Sequence, residues 1–297
     1  MASIHYNLCP VCGSTHLTKV LTVKDYTVSK EDFQLWECAT CSLRFTQDVP
    51  DEASIIPYYK SEEYISHTNT DKGLINTLYK AVRKLTLTQK RKLINRVTGL
   101  KKGVLLDVGS GTGAFAGEMQ KHGWVVTGLE PDEGARKIAQ KDFGINLEPA
   151  DSFYQLPPAS FDAITLWHVL EHVHELHRYI AQLKILLKPG GKLLIAVPNY
   201  TSLDADIYKE FWAAYDVPRH LYHFSPAAMR KLAEKHQMTI VGHKPMWFDS
   251  FYICLLSSKY KNGKARWFTA IFDGLKSNIN AWGKTKRCSS VIYILSS

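Results

Sequence analysis

Residues 104–113 read Val-Leu-Leu-Asp-Val-Gly-Ser-Gly-Thr-Gly, and this stretch constrains the fold more than any other. An unbroken apolar run reads as a strand buried on both faces, which is how strands of parallel sheets look. It ends in Asp107 and opens into Gly109, Gly111 and Gly113, followed by a helical pattern over Ala114 to His122. A strand, a glycine turn and a helix N-terminus make a site for nucleotide-like ligands. Glycines let the backbone approach closely, and free helix N–H groups face the ligand. A second apolar run, Trp124 to Leu129, ends in Glu130, 21 residues after Gly109, where a ribose-binding carboxylate belongs.

The glycines alone leave two ligand classes open, because Gly109-x-Gly111-x-x-Ala114 also satisfies the dinucleotide fingerprint. Three further segments decide. Asp107 with its glycines resembles the first motif of class I S-adenosylmethionine-dependent methyltransferases, and Glu130 matches that family's ribose-binding acid. The run Phe161 to Val173 resembles the family's fourth strand and the loop after it. Leu187-Lys188-Pro189-Gly190-Gly191-Lys192-Leu193-Leu194-Ile195 resembles its entry into strand five. These segments fall in family order over about residues 103 to 200.

The resemblance implies a Rossmann-like α/β sheet with an antiparallel last strand, preceded by a small N-terminal domain. It implies S-adenosylmethionine as cofactor. The 109–113 backbone would hold its methionine moiety, with Asp107 ordering the loop. Glu130 would accept hydrogen bonds from the ribose hydroxyls, and Asp151 would meet the adenine amino group. Trp167 and His168 would leave strand four beside the sulfonium. Strand three is expected to end near Glu148, strand four to cover Asp162 to Leu166, and strand five Lys192 to Val197. Strand six is expected within Met238 to Pro245, and the last strand over Ser290 to Leu295.

Methyl transfer to oxygen calls for a general base, and histidines titrate in the right range. His168 and His220 are the candidates. The segment Val217 to Pro226, which contains His220 and His223, resembles the loop after strand five in ubiquinone-pathway O-methyltransferases and zinc-ribbon sugar methyltransferases. The acceptor is expected between His168 and Trp212–Tyr222, walled by Tyr200, Tyr208, Phe211, Trp212, Tyr215 and Tyr222, though core packing explains these aromatics equally well. Some relatives carry Glu-x-x-Glu-His at the strand-four loop and bind a divalent ion. Here His168 stands in place of the first Glu, so Glu171 and His172 are read as supporting the following helix rather than as ligands.

Cys9-Pro-Val-Cys12 and Cys38-Ala-Thr-Cys41 form two knuckles separated by 25 residues. Each knuckle can offer two thiolates to one tetrahedral zinc ion, a structural role because four cysteines close the shell. Redox pairs or disulfides are the alternatives. Strand-like stretches, Leu17 to Val23 and Phe33 to Glu37, lie between the knuckles. The domain boundaries expected are therefore 1–50 for a zinc ribbon, 51–102 for a connector and basic helical cap, and 103–297 for the cofactor domain. Cys254 and Cys288 read as ordinary packed residues.

The net charge of +9 is unevenly spread. Residues 1–50 carry −1, 51–103 carry +6, 104–200 carry −3 and 201–297 carry +7. Residues 72–102 hold ten bases and no acid, on a helical stripe read as broken near Thr86–Thr88. That helix either covers the pocket or is a solvated surface helix. Residues 260–287 carry Trp267, Ile271, Leu275, Ile279 and Trp282 on one helical face, with bases around them. Such a helix packs its stripe on the domain or on a second subunit, or lies on an anionic membrane. Met1 to Pro10 shows no leader pattern and no apolar run reaches transmembrane length, so a cytoplasmic location, with peripheral membrane contact open, is the expectation.

The leading reading is a methyltransferase acting on a small-molecule acceptor: a glycan, a nucleotide-linked sugar or a lipid-linked intermediate. An RNA methyltransferase is the first rival. It suits the basic flanks but not the −1 ribbon, and no Asn-Pro-Pro-Tyr-type motif occurs. A non-catalytic cofactor-binding regulator is the second. Oligomeric state is open.

Overall fold

The computed structural model describes residues 2–59 and 74–296, with side chains of the first long helix described from Val82 onward. Tyr64, Leu74 and Leu78 of the expected connector and cap lie outside the described side chains. The short strand β1 (Ser3–Ile4) comes first, then β2 (Leu17–Lys24), β3 (Asp32–Cys38), β4 (Arg44–Thr46) and β5 (Val49–Pro50). After the basic helix α1 (Leu74–Thr98), strands and helices alternate. They are β6 (Val104–Val108), α2 (Ala114–Lys121), β7 (Val125–Leu129), α3 (Glu133–Phe143), β8 (Phe161–Trp167), α4 (Leu176–Leu186) and β9 (Leu187–Pro198). The remainder runs α5 (Leu203–Tyr208), β10 (Tyr222–His223), α6 (Pro226–Lys235), β11 (Thr239–Pro245), α7 (Asp249–Asn262), α8 (Trp267–Ala281) and β12 (Ser290–Ser296).

Six strands form one mixed sheet in the order β11-β12-β9-β8-β6-β7, with an antiparallel last strand. β6 pairs in parallel with β7 through Val104↔Val125 to Val108↔Leu129, and with β8 through Leu105↔Ala163 to Val108↔Leu166. Leu105, Leu106, Ala163 and Ile164 have no exposure, as the unbroken apolar runs require of strands covered on both faces. By packing, the chain divides into two compact units. Among the described residues, one comprises 74–169, 178–195 and 294–296; the other comprises 2–59, 170–177 and 196–293.

In the first of these units, α1 is a single unbroken helix, contrary to the expected interruption at Thr86–Thr88. The threonine hydroxyl is satisfied without breaking the helix: Thr86 Oγ1 donates to the Arg83 carbonyl at 2.8 Å, the back-bonding that lets Thr sit mid-helix. The expected third strand reduces to one bridge, Leu129↔Glu148. Pro149 and the 3-10 turn Ala150–Gln155 that follows end the pairing there. α3 starts on Asp132, whose side chain accepts the Ala135 N–H at 2.6 Å, and stops at the left-handed Gly144.

In the other unit the cysteine-bearing hairpin is finished by a segment far along the chain. Its sheet runs β10-β4-β3-β2, with Tyr222 opposite Phe45 and His223 opposite Arg44. Thr46 N–H donates to the Leu221 carbonyl at 2.9 Å, and Thr46 Oγ1 to the His220 carbonyl at 2.7 Å. Arg219, 1% exposed, bridges Asp25 at 3.1 Å and Asp216 at 2.7 Å and donates to the Tyr58 carbonyl at 3.0 Å. Burial works against the Asp25 carboxylate. The Arg219 guanidinium and the N–H groups of Ser29 and Thr27 outweigh it and hold that carboxyl below its usual range.

Tyr200, Tyr208, Trp212 and Tyr215 pack with Val23 and Leu35 of the hairpin in one core. These aromatics, with Tyr222, are buried. Of the two readings open for these aromatics, core packing is what the structure shows for Tyr200, Tyr208, Trp212 and Tyr215, while Phe211 is half-buried. Cys254 and Cys288 are buried packed residues, as expected.

Candidate functional site: a glycine loop and a four-cysteine cluster

β6 ends by delivering Asp107, 1% exposed, beneath the glycine loop. Thr165 Oγ1 on the neighbouring strand donates to Asp107 Oδ1 at 2.7 Å, and Ser110 Oγ donates to the Asp107 carbonyl at 2.8 Å. Burial pushes the Asp107 carboxyl up to about 6, against the pull of these hydroxyls and of the Lys90 charge. Gly109 and Gly113 are left-handed, with φ of 69° and 76°. A Cβ on Gly109 would stand 2.5 Å from Val169 Cγ2, and one on Gly113 2.6 Å from Ala139 Cβ. Neither position accepts a side chain by conformation or by space. At Gly111 a Cβ would meet nothing within 4 Å, so the loop is open at its crest.

Glu130 leaves β7 and turns back onto this loop. Its Oε2 accepts the Gly111 N–H at 2.8 Å and its Oε1 the Asp132 N–H at 3.0 Å. Burial raises its carboxyl above the usual value, with those two N–H groups opposing. Each oxygen keeps a second lone pair for a hydroxyl donor. Arg136 Nη1 donates to the Glu130 carbonyl at 2.7 Å and fixes the strand end.

Trp167, at the end of β8, meets Phe115 of α2 edge to face at 5.4 Å. Its Nε1 is buried with no hydrogen-bond partner among the described residues. Lys90 of α1 places its ammonium 4.1 Å over the Trp167 ring, a cation–π contact. Along the same helix, Arg83 Nη2 donates to Thr112 Oγ1 at 3.3 Å and Arg91 Nε to Glu118 Oε1 at 2.8 Å. The basic helix therefore lies along the glycine loop and α2 through three of its cations. Lys92 is exposed. His168 is held at φ 58°, a left-handed conformation uncommon for a residue with a side chain and associated with functional turns. Asp151 is exposed on the 3-10 turn after Glu148.

The structure thus gathers Asp107, Gly109, Gly111, Gly113, Glu130 and Trp167 around one loop, with His168 following Trp167. His220 belongs to the other compact unit, in a separate cluster. Its Nδ1 lies 2.9 Å from the Ala214 carbonyl, and its ring centroid 4.6 Å from that of His172. His172 Nδ1 is 2.9 Å from the Arg219 carbonyl. A carbonyl can only accept, so each ring donates to it from Nδ1. Burial, and then the His220 charge, lower His172 to about 4. Glu171, His172 and His220 lie close enough together to hold one metal ion. Glu171 and His172, expected to support the start of the following helix, lie in a 3-10 turn ahead of it, with His172 against His220.

The four cysteines converge. Cys9 Sγ is 3.5 Å from Cys41 Sγ and Cys12 Sγ 3.5 Å from Cys38 Sγ, and all four sulfurs lie within 4.8 Å of one another. No disulfide forms among them. Thiolates at 2.3 Å from a tetrahedral ion sit about 3.8 Å apart, so the cluster fits zinc. The two knuckles repeat one backbone device. Gly13 N–H donates to the Cys9 carbonyl at 2.9 Å and Ser42 N–H to the Cys38 carbonyl at 2.8 Å, both from left-handed residues.

The sequence profile of the family described as "Methyltransferase domain" matches residues 82–243, more than half of the chain. The chain belongs to the methyltransferase domain family. It is 36% identical over 114 residues to a ubiquinone biosynthesis O-methyltransferase of Coxiella burnetii (strain RSA 493 / Nine Mile phase I), covering 36% of this chain and 49% of that protein. It is 30% identical over 134 residues to the enzyme of the same name from Histophilus somni (strain 2336), covering 41% and 56%. The chain spans about half the length of the curated relatives it matches. A SAM dependent methyltransferase from Archaeoglobus fulgidus shares the fold, with a TM-score of 0.50 at 19% identity over 72% of this chain and 94% of that one.

Within this methyltransferase domain, two contributors escaped the sequence reading. Thr165 sits in an apolar strand, and its signal was a lone hydroxyl in register with Asp107 on the adjacent strand. Arg83 belonged to a run of bases in which nothing singled it out. Only the rotation of α1 brings it to Thr112.

Proposed function

We propose that this chain transfers a methyl group from S-adenosylmethionine to a hydroxyl-bearing small molecule. The observation that carries the reading is the left-handed glycine loop, clamped by Glu130 and floored by Asp107, in a chain of the methyltransferase domain family. Bound S-adenosylmethionine would supply an electrophilic methyl group. In the displacement the acceptor oxygen bonds to the methyl carbon and the C–S bond breaks. Its electron pair stays on sulfur, and the hydroxyl proton passes to a base.

The protein's share is positioning, exclusion of water and proton handling. The open crest at Gly111 leaves room for the methionine moiety. The spare lone pairs of Glu130 would receive the ribose hydroxyls, and Asp151 the adenine edge. Trp167, with its buried Nε1–H, would border the sulfonium. His168 and His220 are the candidate bases. The relatives are named for ubiquinone biosynthesis, which supports a quinone-like lipid acceptor over a sugar nucleotide. A ribbon of net charge −1 speaks against RNA.

We also infer one structural zinc ion on Cys9, Cys12, Cys38 and Cys41, because four thiolates close its coordination shell. Titration calorimetry tests the main reading: S-adenosylhomocysteine binds and NAD does not. Binding of NAD with no response to either sulfur compound overturns it. With an acceptor in hand, replacing the true base by alanine lowers turnover roughly 10²–10⁴-fold and leaves S-adenosylhomocysteine affinity unchanged.

A further inference from the structure

Helix α8 is built inside out. The face it buries holds Ala270, Asp273, Gly274, Ser277 and Ala281, all small or polar. The face it exposes holds Trp267, Phe268, Ile271, Phe272, Leu275 and Ile279, continued by Trp282. Phe268 is 92% exposed, Ile279 63% and Trp282 80%. At 3.6 residues per turn these seven side chains fall within an arc of about 140°. Packing of this stripe on the domain is one of the three outcomes its periodicity allows. The structure turns the stripe to solvent.

The orientation is fixed by the buried polar face. Tyr208 OH donates to Asp273 Oδ2 at 2.9 Å, and Ser277 Oγ donates to Asp204 Oδ1 at 2.6 Å. Asp204 is itself held by Trp212 Nε1 at 2.8 Å and Ser289 Oγ at 2.7 Å. Gly274 lies so close to α7 that a Cβ there would stand 2.9 Å from Phe251 Cδ1. Rolling α8 to hide its aromatics would strand these buried hydrogen-bonding groups and drive larger side chains into α7. An apolar stripe of this size, locked outward, marks an interaction surface.

The charges around it say what it meets. Between Lys259 and Arg287 lie eight basic residues, all exposed. Asp273, the one acid in that span, is buried. Lys276 sits 4.5 Å over the Phe272 ring, at the border of the stripe. At the far end, Lys284, Lys286 and Arg287 line a cleft of about 490 Å³ with His243, beside Trp282. Two copies stacked on this face would set cations against cations. An anionic surface with an apolar interior accepts the stripe and the bases together, and tryptophans at both ends suit the headgroup level. No helix among the described residues is long and apolar enough to cross a membrane, which leaves contact in the plane of the interface.

We propose that the exposed face of α8, with the bases of 259–287, docks this protein on an anionic lipid bilayer. The proposal does not rest on the methyl acceptor. The full chain is to be sedimented with phosphatidylcholine vesicles, with and without phosphatidylglycerol, at low and high salt. The expected result is selective sedimentation with anionic vesicles, weakened by salt and reduced at least about tenfold in a Phe268→Ser/Trp282→Ser variant. A Lys284→Glu/Lys286→Glu/Arg287→Glu variant should lose the anionic preference. Both variants should keep wild-type thermal unfolding and S-adenosylhomocysteine binding, which separates lost docking from lost fold. Equal sedimentation with neutral and anionic vesicles overturns the proposal, as does wild-type binding by the first variant. A dimer seen by light scattering, abolished by Phe268→Ser and unaccompanied by vesicle binding, would also overturn it and assign the face to a second copy.

Discussion

Glu130 Oε2 accepts the Gly111 N–H at 2.8 Å, so the carboxylate expected to hold a ribose also holds the crest of the glycine loop. One side chain would then join cofactor recognition to loop order. Its removal should therefore hurt twice.

Glu130→Ala is expected to weaken S-adenosylhomocysteine binding by about 1.5–3 kcal/mol. Glu130→Gln retains an acceptor for Gly111 N–H and should fall between Ala and wild type. Calorimetry on the three proteins is the check. Equal affinities for Ala and wild type would remove Glu130 from the site.

Asp107 makes the pH dependence specific. Its carboxyl is raised by burial from the ordinary 3.8 to about 6 in the fold. Between those values the folded chain keeps a proton that the unfolded chain has released, so stability falls as pH rises through this window. Above pH 6 both states are ionised and the penalty stays constant. Relative to Asp107→Asn, wild type should lose roughly 3 kcal/mol between about pH 4 and pH 7. Urea unfolding of the pair across that range measures it, and parallel curves would show that the folded and unfolded carboxyls titrate alike.

Metal removal should reach beyond the first fifty residues. Because β4 pairs with Tyr222–His223, stripping the ion from the cysteines should loosen that distant strand too. Hydrogen exchange before and after chelation should quicken at Phe45, Thr46, Tyr222 and His223 together. Elemental analysis should give one zinc per chain, abolished by replacing the four cysteines.

Arg219→Met leaves Asp25 and Asp216 without their shared cation. Loss of one partner from a buried ion pair is expected to cost about 3–5 kcal/mol, read from chemical denaturation. A change under about 1 kcal/mol would mean that the pair is less buried in solution than the 1% exposure of Arg219 indicates.

The parallel strands, the glycine loop and both knuckles were legible because short local patterns specify them. Val104–Leu106 is apolar throughout, and only glycine suits the turns at 109 and 113. What escaped is tertiary. Nothing local marks Tyr222–His223 as a fourth strand for a hairpin near residue 40, and Tyr200 to Tyr215 read equally well as wall or core. The α8 stripe was visible as periodicity, but periodicity gives a face and not its direction. Buried Asp273 and Ser277 decide that. Strand three ends at Glu148, before Pro149, as expected, and is short on its other side, where the Ile145 N–H still bonds the Ala139 carbonyl at the end of α3.

The two-residue strand β10 also sets a schedule for synthesis. The four cysteines are complete as soon as residue 41 has left the ribosome, yet the edge of β4 stays unpaired until Tyr222 and His223 emerge. At ordinary translation rates that interval is on the order of 10–35 s. During it the nascent chain carries an open strand edge with Phe45 on it, and a chaperone has that long to shield it from other chains.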